Sequence, residues 1–229
     1  MRSVVLCYHA VSPTWRHRLS LAPDLLLQQV RTLRRFAHVH VTFDDAFRSI
    51  ESVIPELLRI EVPVTIFVCS GYADRGGAPL VISELETEDA EDLEGLRTMA
   101  WDQLRTLSAE GVTIGSHGVS HAHLPSLDDG DLTRELEEAK QRIGDEIGQA
   151  PSGFAYPFGE HDERVRAGVR AAGYERGFAL RCLPGDPYAT PRVDLYTRHS
   201  PFGALVRAAP QLLLRKQHSR PATDLPKDP

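Results

Sequence analysis

Short apolar runs alternate with amphipathic stretches along most of this chain, and that alternation restricts the fold more than any other feature. Residues 4–8, 39–43, 64–69, 112–116, 154–156 and 177–180 read as buried strands. Between them lie helix patterns. One opens at Pro23-Asp24 and places Leu26, Val30, Leu33 and Phe36 at helical spacing. A second holds Ile50, Val53, Ile54, Leu57 and Leu58, with Pro55 kinking it or starting a new piece. Others span 101–109, 132–147 with Gly148 as its C-cap, and 163–172. A last strand falls near 192–196 and a last helix near 205–214. Strands that alternate with helices form parallel sheets. Six or seven such units in 229 residues predict an α/β fold, a single (β/α) barrel, distorted or incomplete, of about seven strands. Residues 1–214 are expected to form one domain, and the polar, Pro-rich tail 215–229 to be disordered.

Chemistry in βα barrels gathers at the C-terminal ends of strands. His9 follows the first strand, Asp44 and Asp45 the second, His117 the fourth, and Pro157-Phe158-Gly159 the fifth. An acidic pair alone is as good an N-cap as a ligand, and a lone histidine is often a satisfied core residue. Together they say more. One carboxylate and two imidazoles, His117 and His121 at i, i+4, hold a divalent ion, and a second carboxylate beside them is equipment for metal-assisted hydrolysis. His123, two positions further, does not share that face. His9 suits a general acid, because histidine hands over a proton near neutral pH.

The bulk numbers exclude other classes. Net charge is −6 and no basic block tracks a phosphate backbone, so nucleic acid is not the expected partner. Arg31, Arg34 and Arg35 read as the solvated face of a helix. Cys7, Cys69 and Cys182 are an odd number without metal spacing, which predicts reduced thiols in a cytoplasmic setting. The apolar run at residues 4–8 is too short for a signal peptide or a membrane span, and no transmembrane segment follows. The insertion 71–98, rich in Glu and Asp, reads as a solvated acidic excursion in preference to a lid.

Three segments carry a resemblance. Thr42-Phe43-Asp44-Asp45, Ser116-His117-Gly118-Val119-Ser120-His121 and Ala155-Tyr156-Pro157-Phe158-Gly159 resemble, in order, the first three motifs of the polysaccharide deacetylases, the NodB-like carbohydrate esterase family. Cys7-Tyr8-His9-Ala10-Val11 resembles the poly-N-acetylglucosamine deacetylase branch, whose catalytic histidine lies at the N-terminus. The resemblance implies Asp45, His117 and His121 as metal ligands, Asp44 as general base, His9 as general acid and the Phe158 backbone N–H as an oxyanion donor. It places Tyr156, Pro157 and Phe158 against a carbohydrate substrate. Zinc is the implied metal, and cobalt, nickel or iron suit the same ligands. Two departures stand out. Ala155 occupies the place of an arginine that steadies the base; Arg192 is the candidate substitute, set against the plainer reading of an ordinary surface arginine. No counterpart of the fourth motif's Trp is found, and Trp101 is expected to pack on a helix. The implied reaction is metal-dependent N-deacetylation of amino sugars in an oligosaccharide, polysaccharide or glycolipid precursor, with a bell-shaped pH dependence of kcat/KM. The alternatives are an amidase acting on a non-sugar amide and a non-catalytic carbohydrate-binding descendant.

Overall fold

The computed structural model describes residues 2–82, 85, 89–180, 183 and 185–213. Cys182 and the tail 215–229 lie outside the described residues. In chain order the elements are β1 Arg2–Tyr8, β2 Ala10–Val11, β3 Ser20–Leu21, α1 Pro23–Arg34, β4 Ala37–Phe43, α2 Ile54–Arg59, β5 Val64–Val68, α3 Ser70–Asp74, α4 Ala90–Gly95 and α5 Trp101–Ala109. They continue with β6 Thr113–Ser116, α6 Asp129–Ile147, β7 Gly153–Ala155, α7 Glu163–Ala171, β8 Arg176–Ala179, β9 Thr190–Pro191, β10 Val193–Asp194 and α8 Pro201–Leu213.

The main sheet runs β10-β1-β4-β5-β6-β7-β8-β9, all parallel, with helices around it. Its two edges are one stretch of chain. β9 pairs with β8 and β10 pairs with β1, so residues 190–194 change partner at Arg192 and bring the sheet to a nearly closed barrel. Counting that stretch once, seven strands make the ring, as the sequence pattern predicts. The expected strand at 192–196 is thus a short, divided one. β10 is two residues long, and the chain leaves β1 after Leu195 N–H donates to Cys7 O.

Most remaining boundaries fall where the apolar periodicity puts them. Pro55 sits in the first turn of α2, separated from a 3-10 turn at Arg48–Ser52. Gly148 caps α6 in the left-handed region at φ 79°, where a side chain is disfavoured. Phe36 differs from expectation: α1 stops at Arg34, and Phe36 is 55% exposed. The last helix begins at Pro201, earlier than its apolar run suggests. The insertion differs more. Leu80, Leu85 and Leu96 are buried against the main core, while Asp89, Glu91 and Glu94 are exposed, so its described part packs on the barrel with an acidic outer face.

Parallel register sets the site. Tyr8 lies opposite Phe43, so His9 and Asp44 leave the same rim side by side, and Asp44 N–H donates to Tyr8 O at 2.9 Å. Val68 lies opposite Ser116, and His117 N–H donates to Val68 O at 2.9 Å. The barrel below is filled by Phe67, whose ring lies 5.2 Å from that of Phe178. Gly115 makes room for it: a Cβ there would fall 2.5 Å from the Phe67 ring. Removing a buried aromatic of this kind costs about 3–5 kcal/mol.

Candidate active site

The strand ends turn sharply where the polar residues sit. Asp45 and Ala46 both adopt positive φ, 67° and 54°, directly after β4. Non-glycine residues enter this region at a cost, and such strain collects at functional sites. Here it aims the two consecutive carboxylates at different partners. Both are buried, at 4% and 3% exposure.

Asp45 faces the histidines. Its Oδ1 lies 3.5 Å from His117 Nε2 and 3.2 Å from His121 Nε2. One ligand atom from each of the three residues falls within 4.8 Å of the others. His117 Nδ1 is 2.8 Å from Ala155 O. A carbonyl only accepts, so Nδ1 carries the proton and Nε2 is left with a lone pair toward Asp45. Asp45 Oδ1 is buried yet accepts no hydrogen bond. An orphaned carboxylate oxygen beside two imidazole nitrogens is costly in a protein interior and fits a cation. Burial pushes the His117 imidazole down to about 4, against the pull of Asp44 and Asp45. For His121 burial also acts downward, but Asp45 outweighs it and raises the group above its ordinary value. Asp45 is lowered: burial works to raise it, and His121 and His117 prevail.

Asp44 faces a guanidinium. Arg192 donates Nη1–H to Oδ1 at 2.5 Å and Nη2–H to Oδ2 at 2.8 Å, and Nη1 also reaches Thr42 Oγ1 at 3.2 Å. Arg192 is 4% exposed, and its guanidinium lies 5.4 Å from the Phe67 ring centroid. It is a buried partner of Asp44 and not a surface arginine. Burial alone would raise the Asp44 carboxyl, but Arg192 holds it well below the usual carboxylate range. Cys7 donates a thiol hydrogen bond to Asp44 Oδ2 at 3.4 Å. One ligand-type atom each of Cys7, His9 and Asp44 lies within 4.8 Å of the others, which puts the candidate acid beside the candidate base. The His9 ring stacks on Tyr196, centroids 6.3 Å apart and planes within 16°.

His117, His121, Asp44, Asp45, His9 and Phe158 line one cavity of about 220 Å³. Phe158 has φ 58°, its ring edge meets His121 at 4.5 Å, and its face stacks on His123 at 3.8 Å. Gly159 and Glu160 donate their backbone N–H groups to Tyr156 and Pro157, and among the described residues the Phe158 N–H has no acceptor. Tyr156 and Pro157 lie behind the cavity. Both are buried and neither lines this cavity. Tyr156 turns into a second core cluster and donates its hydroxyl to Tyr188 O at 2.7 Å, so it supports the loop from behind. Trp101 opens α5, 7% exposed, with its indole N–H on Asp74.

Two contributors escaped the sequence reading. Glu135 on α6 accepts the backbone N–H groups of Val119 at 2.7 Å and Ser120 at 3.1 Å, and the Ser120 hydroxyl at 2.5 Å. It clasps the loop between the two histidines. Gly118 at φ 84° passes so close that a Cβ would sit 2.8 Å from Glu135 Oε2. Glu135 stands among similar acidic residues on its helix, so no local signal marked it. The other contributor is the aliphatic wall. Leu80, Ile82 and Leu85 of the insertion, with Leu19 and Leu180, line the cavity.

The family model described as polysaccharide deacetylase matches residues 34–177, more than half of the chain. The chain belongs to that family. Its fold is shared with PplD, the Streptococcus pyogenes deacetylase solved in complex with acetate: TM-score 0.73, 20% identity, covering 90% of this chain and 98% of that one. IcaB from Ammonifex degensii gives TM-score 0.70 at 23% identity, covering 90% and 97%. A de-N-acetylase from Aggregatibacter actinomycetemcomitans gives 0.71 at 17%, covering 86% and 96%. No curated protein sequence matches the chain. Asp44, Asp45, His117, His121 and Phe158 fall inside the region matched to the deacetylase family, whereas His9 and Arg192 lie on either side of it. No helix among the described residues is long and apolar enough to cross a membrane.

Proposed function

We propose that this polysaccharide deacetylase family member is a metal-dependent N-deacetylase that hydrolyses the acetamide of an N-acetylated amino sugar, with residues 1–214 as its catalytic domain. The observation that carries the reading is the orphaned Asp45 oxygen between His117 and His121, one residue from a carboxylate clamped by Arg192. Asp45, His117 and His121 would hold the divalent cation, with zinc the best match to two imidazoles and a carboxylate. When bound there, the cation supplies Lewis acidity to the amide carbonyl.

The chain's own groups supply the rest. Arg192 keeps Asp44 ionised at neutral pH, and each carboxylate oxygen retains a lone pair beyond its bond to the guanidinium. Asp44 takes one proton from the attacking water while the hydroxyl adds to the carbonyl carbon. The Phe158 N–H faces the developing oxyanion. His9 donates its proton to the amide nitrogen as the carbon–nitrogen bond breaks, and acetic acid and the free amine leave, ionising in water to acetate and ammonium. Tyr196, stacked on His9, fixes the plane of that ring. Free thiols at Cys7 and Cys69, both buried, support a reducing cytoplasmic setting.

The aliphatic wall of Leu19, Leu80, Ile82, Leu85 and Leu180 favours a second reading, an amidase acting on a non-sugar amide. The binding-only reading loses ground because candidate base and acid both face the cavity. Acetate release from N-acetylglucosamine oligomers and glycolipids separates these readings. It should require added metal and fall by about 10²–10⁴-fold in Asp44→Asn. Metal binding with no release from any sugar would move the assignment to the non-sugar amide.

A further inference from the structure

A second cavity of about 310 Å³ adjoins the cavity over Asp44 and His9. Arg18 and Tyr196 line both. The second one is lined by Arg16, Arg18, Arg198 and His17, and no carboxylate among the described residues lines it. In a chain of net charge −6 this is a local reversal of sign.

The walls are built. Thr197 donates its hydroxyl to Ser20 O at 2.8 Å, which ties the loop carrying Arg198 to the loop carrying Arg16 and Arg18. The Arg198 guanidinium lies 4.6 Å from the Tyr196 ring centroid, so its charge is held at the junction of the two cavities. His17 stacks on Trp15 at 4.7 Å, and Trp15 is pinned by its indole N–H to Asp92 Oδ1 at 2.8 Å. Arg18 has further interactions of its own. An independent sign of a missing partner is Ser20. It lines this cavity, is 4% exposed, and its hydroxyl has no hydrogen-bond partner.

We propose that this groove is a subsite for an anionic group, a phosphate diester or a carboxylate, carried by the unit next to the sugar that loses its acetyl group. Guanidinium forks pair with the oxygens of either anion, and the Ser20 hydroxyl is a further donor. The proposal rests on the deacetylase reading and narrows it: the substrate is an acidic glycoconjugate and not a neutral polymer. The reacting sugar sits over Asp44 and His9, and its charged neighbour passes Tyr196 into the groove.

The test uses the metal-loaded full chain and three N-acetylglucosamine oligomers of equal length: neutral, phosphate-bearing and uronate-bearing. Calorimetry gives Kd, and acetate release gives kcat/KM. At least one anionic oligomer should be preferred by on the order of tenfold in both. That preference should shrink with salt and fall to about unity in Arg16→Gln/Arg198→Gln. Which anionic oligomer is preferred names the source of the charge. Arg34→Gln, on the exposed face of α1, should leave the preference intact. The single variants Arg16→Gln and Arg198→Gln each lower it and keep the test decisive if the double variant folds poorly. Equal binding of all three oligomers, or a preference that survives both substitutions, overturns the subsite. An anion preference with no acetate released from any oligomer overturns the deacetylase reading and leaves the groove standing.

Discussion

Asp44 and Asp45 are consecutive, alike in chemistry and equally buried, yet the two sides of the site they open onto are opposites. On the Asp44 side every partner is a donor: Arg192 through two nitrogens and Cys7 through its thiol. On the Asp45 side the neighbours are two imidazole nitrogens, and one carboxylate oxygen is left without a donor. One side is complete with protein atoms alone, and the other is shaped for something further. Composition does not distinguish a base from a ligand here. The left-handed turn at Asp45 does, by sending successive side chains to different neighbours.

The largest effect should come from breaking the second side. Asp45→Asn should remove bound metal, measured by elemental analysis, and take acetate release to background. Asp44→Asn should keep one metal per chain and lower kcat by about 10²–10⁴-fold. If the two variants lose metal together, the division between the sides is wrong. Next comes Arg192→Gln, which leaves a buried carboxylate without its counter-ion. Unfolding in urea should show a loss of about 3–5 kcal/mol, and adding Asp44→Asn should recover part of it.

Acid sharpens the contrast in the metal-free protein. His117 sits near 4 in the folded state against an ordinary 6.5, so the unfolded chain takes up its proton first. That contribution to stability is present above about pH 6.5 and is lost as pH falls toward 4, at most about 3 kcal/mol. Asp44, also lowered, adds a loss below its ordinary range. His121 is raised and acts in the opposite sense, its contribution fading as pH rises. Thermal midpoints of chelated wild type and His117→Asn across pH 4–7 should converge at the acid end. The smallest effect is expected from Glu135→Gln. It loosens the loop that converges the histidines and should weaken metal binding by about 10–100-fold without abolishing it.

The sequence reading reached the strands, the rim and the Asp45–His117–His121 cluster because these are local: apolar runs of strand length, residues just past their ends, and an i, i+4 histidine pair. Arg192 was legible only as a replacement for the arginine missing at Ala155, since nothing around Pro191-Arg192-Val193 marks it. Glu135, the Cys7 thiol contact and the aliphatic wall of the insertion were not legible. Each depends on elements brought together across the barrel, and the acidic composition of residues 84–94 masked the buried Leu80 and Leu85 beside it. The burial of Tyr156 and Pro157 behind the cavity was not legible for a related reason. A motif gives the order of residues but not which way the chain turns after the strand: β7 ends at Ala155, and the following 3-10 turn buries Tyr156 and Pro157.

The chain's change of partner at Arg192 has a consequence in time. A nascent chain that has emerged as far as residue 180 already contains His9, both aspartates and both histidines, but the cation that keeps Asp44 charged is 148 positions downstream of it. Proteins leave the ribosome N-terminus first. The same few residues that complete the wall therefore also bring Asp44 its counter-ion, so the buried carboxylate gains its partner only with the last turn of the ring.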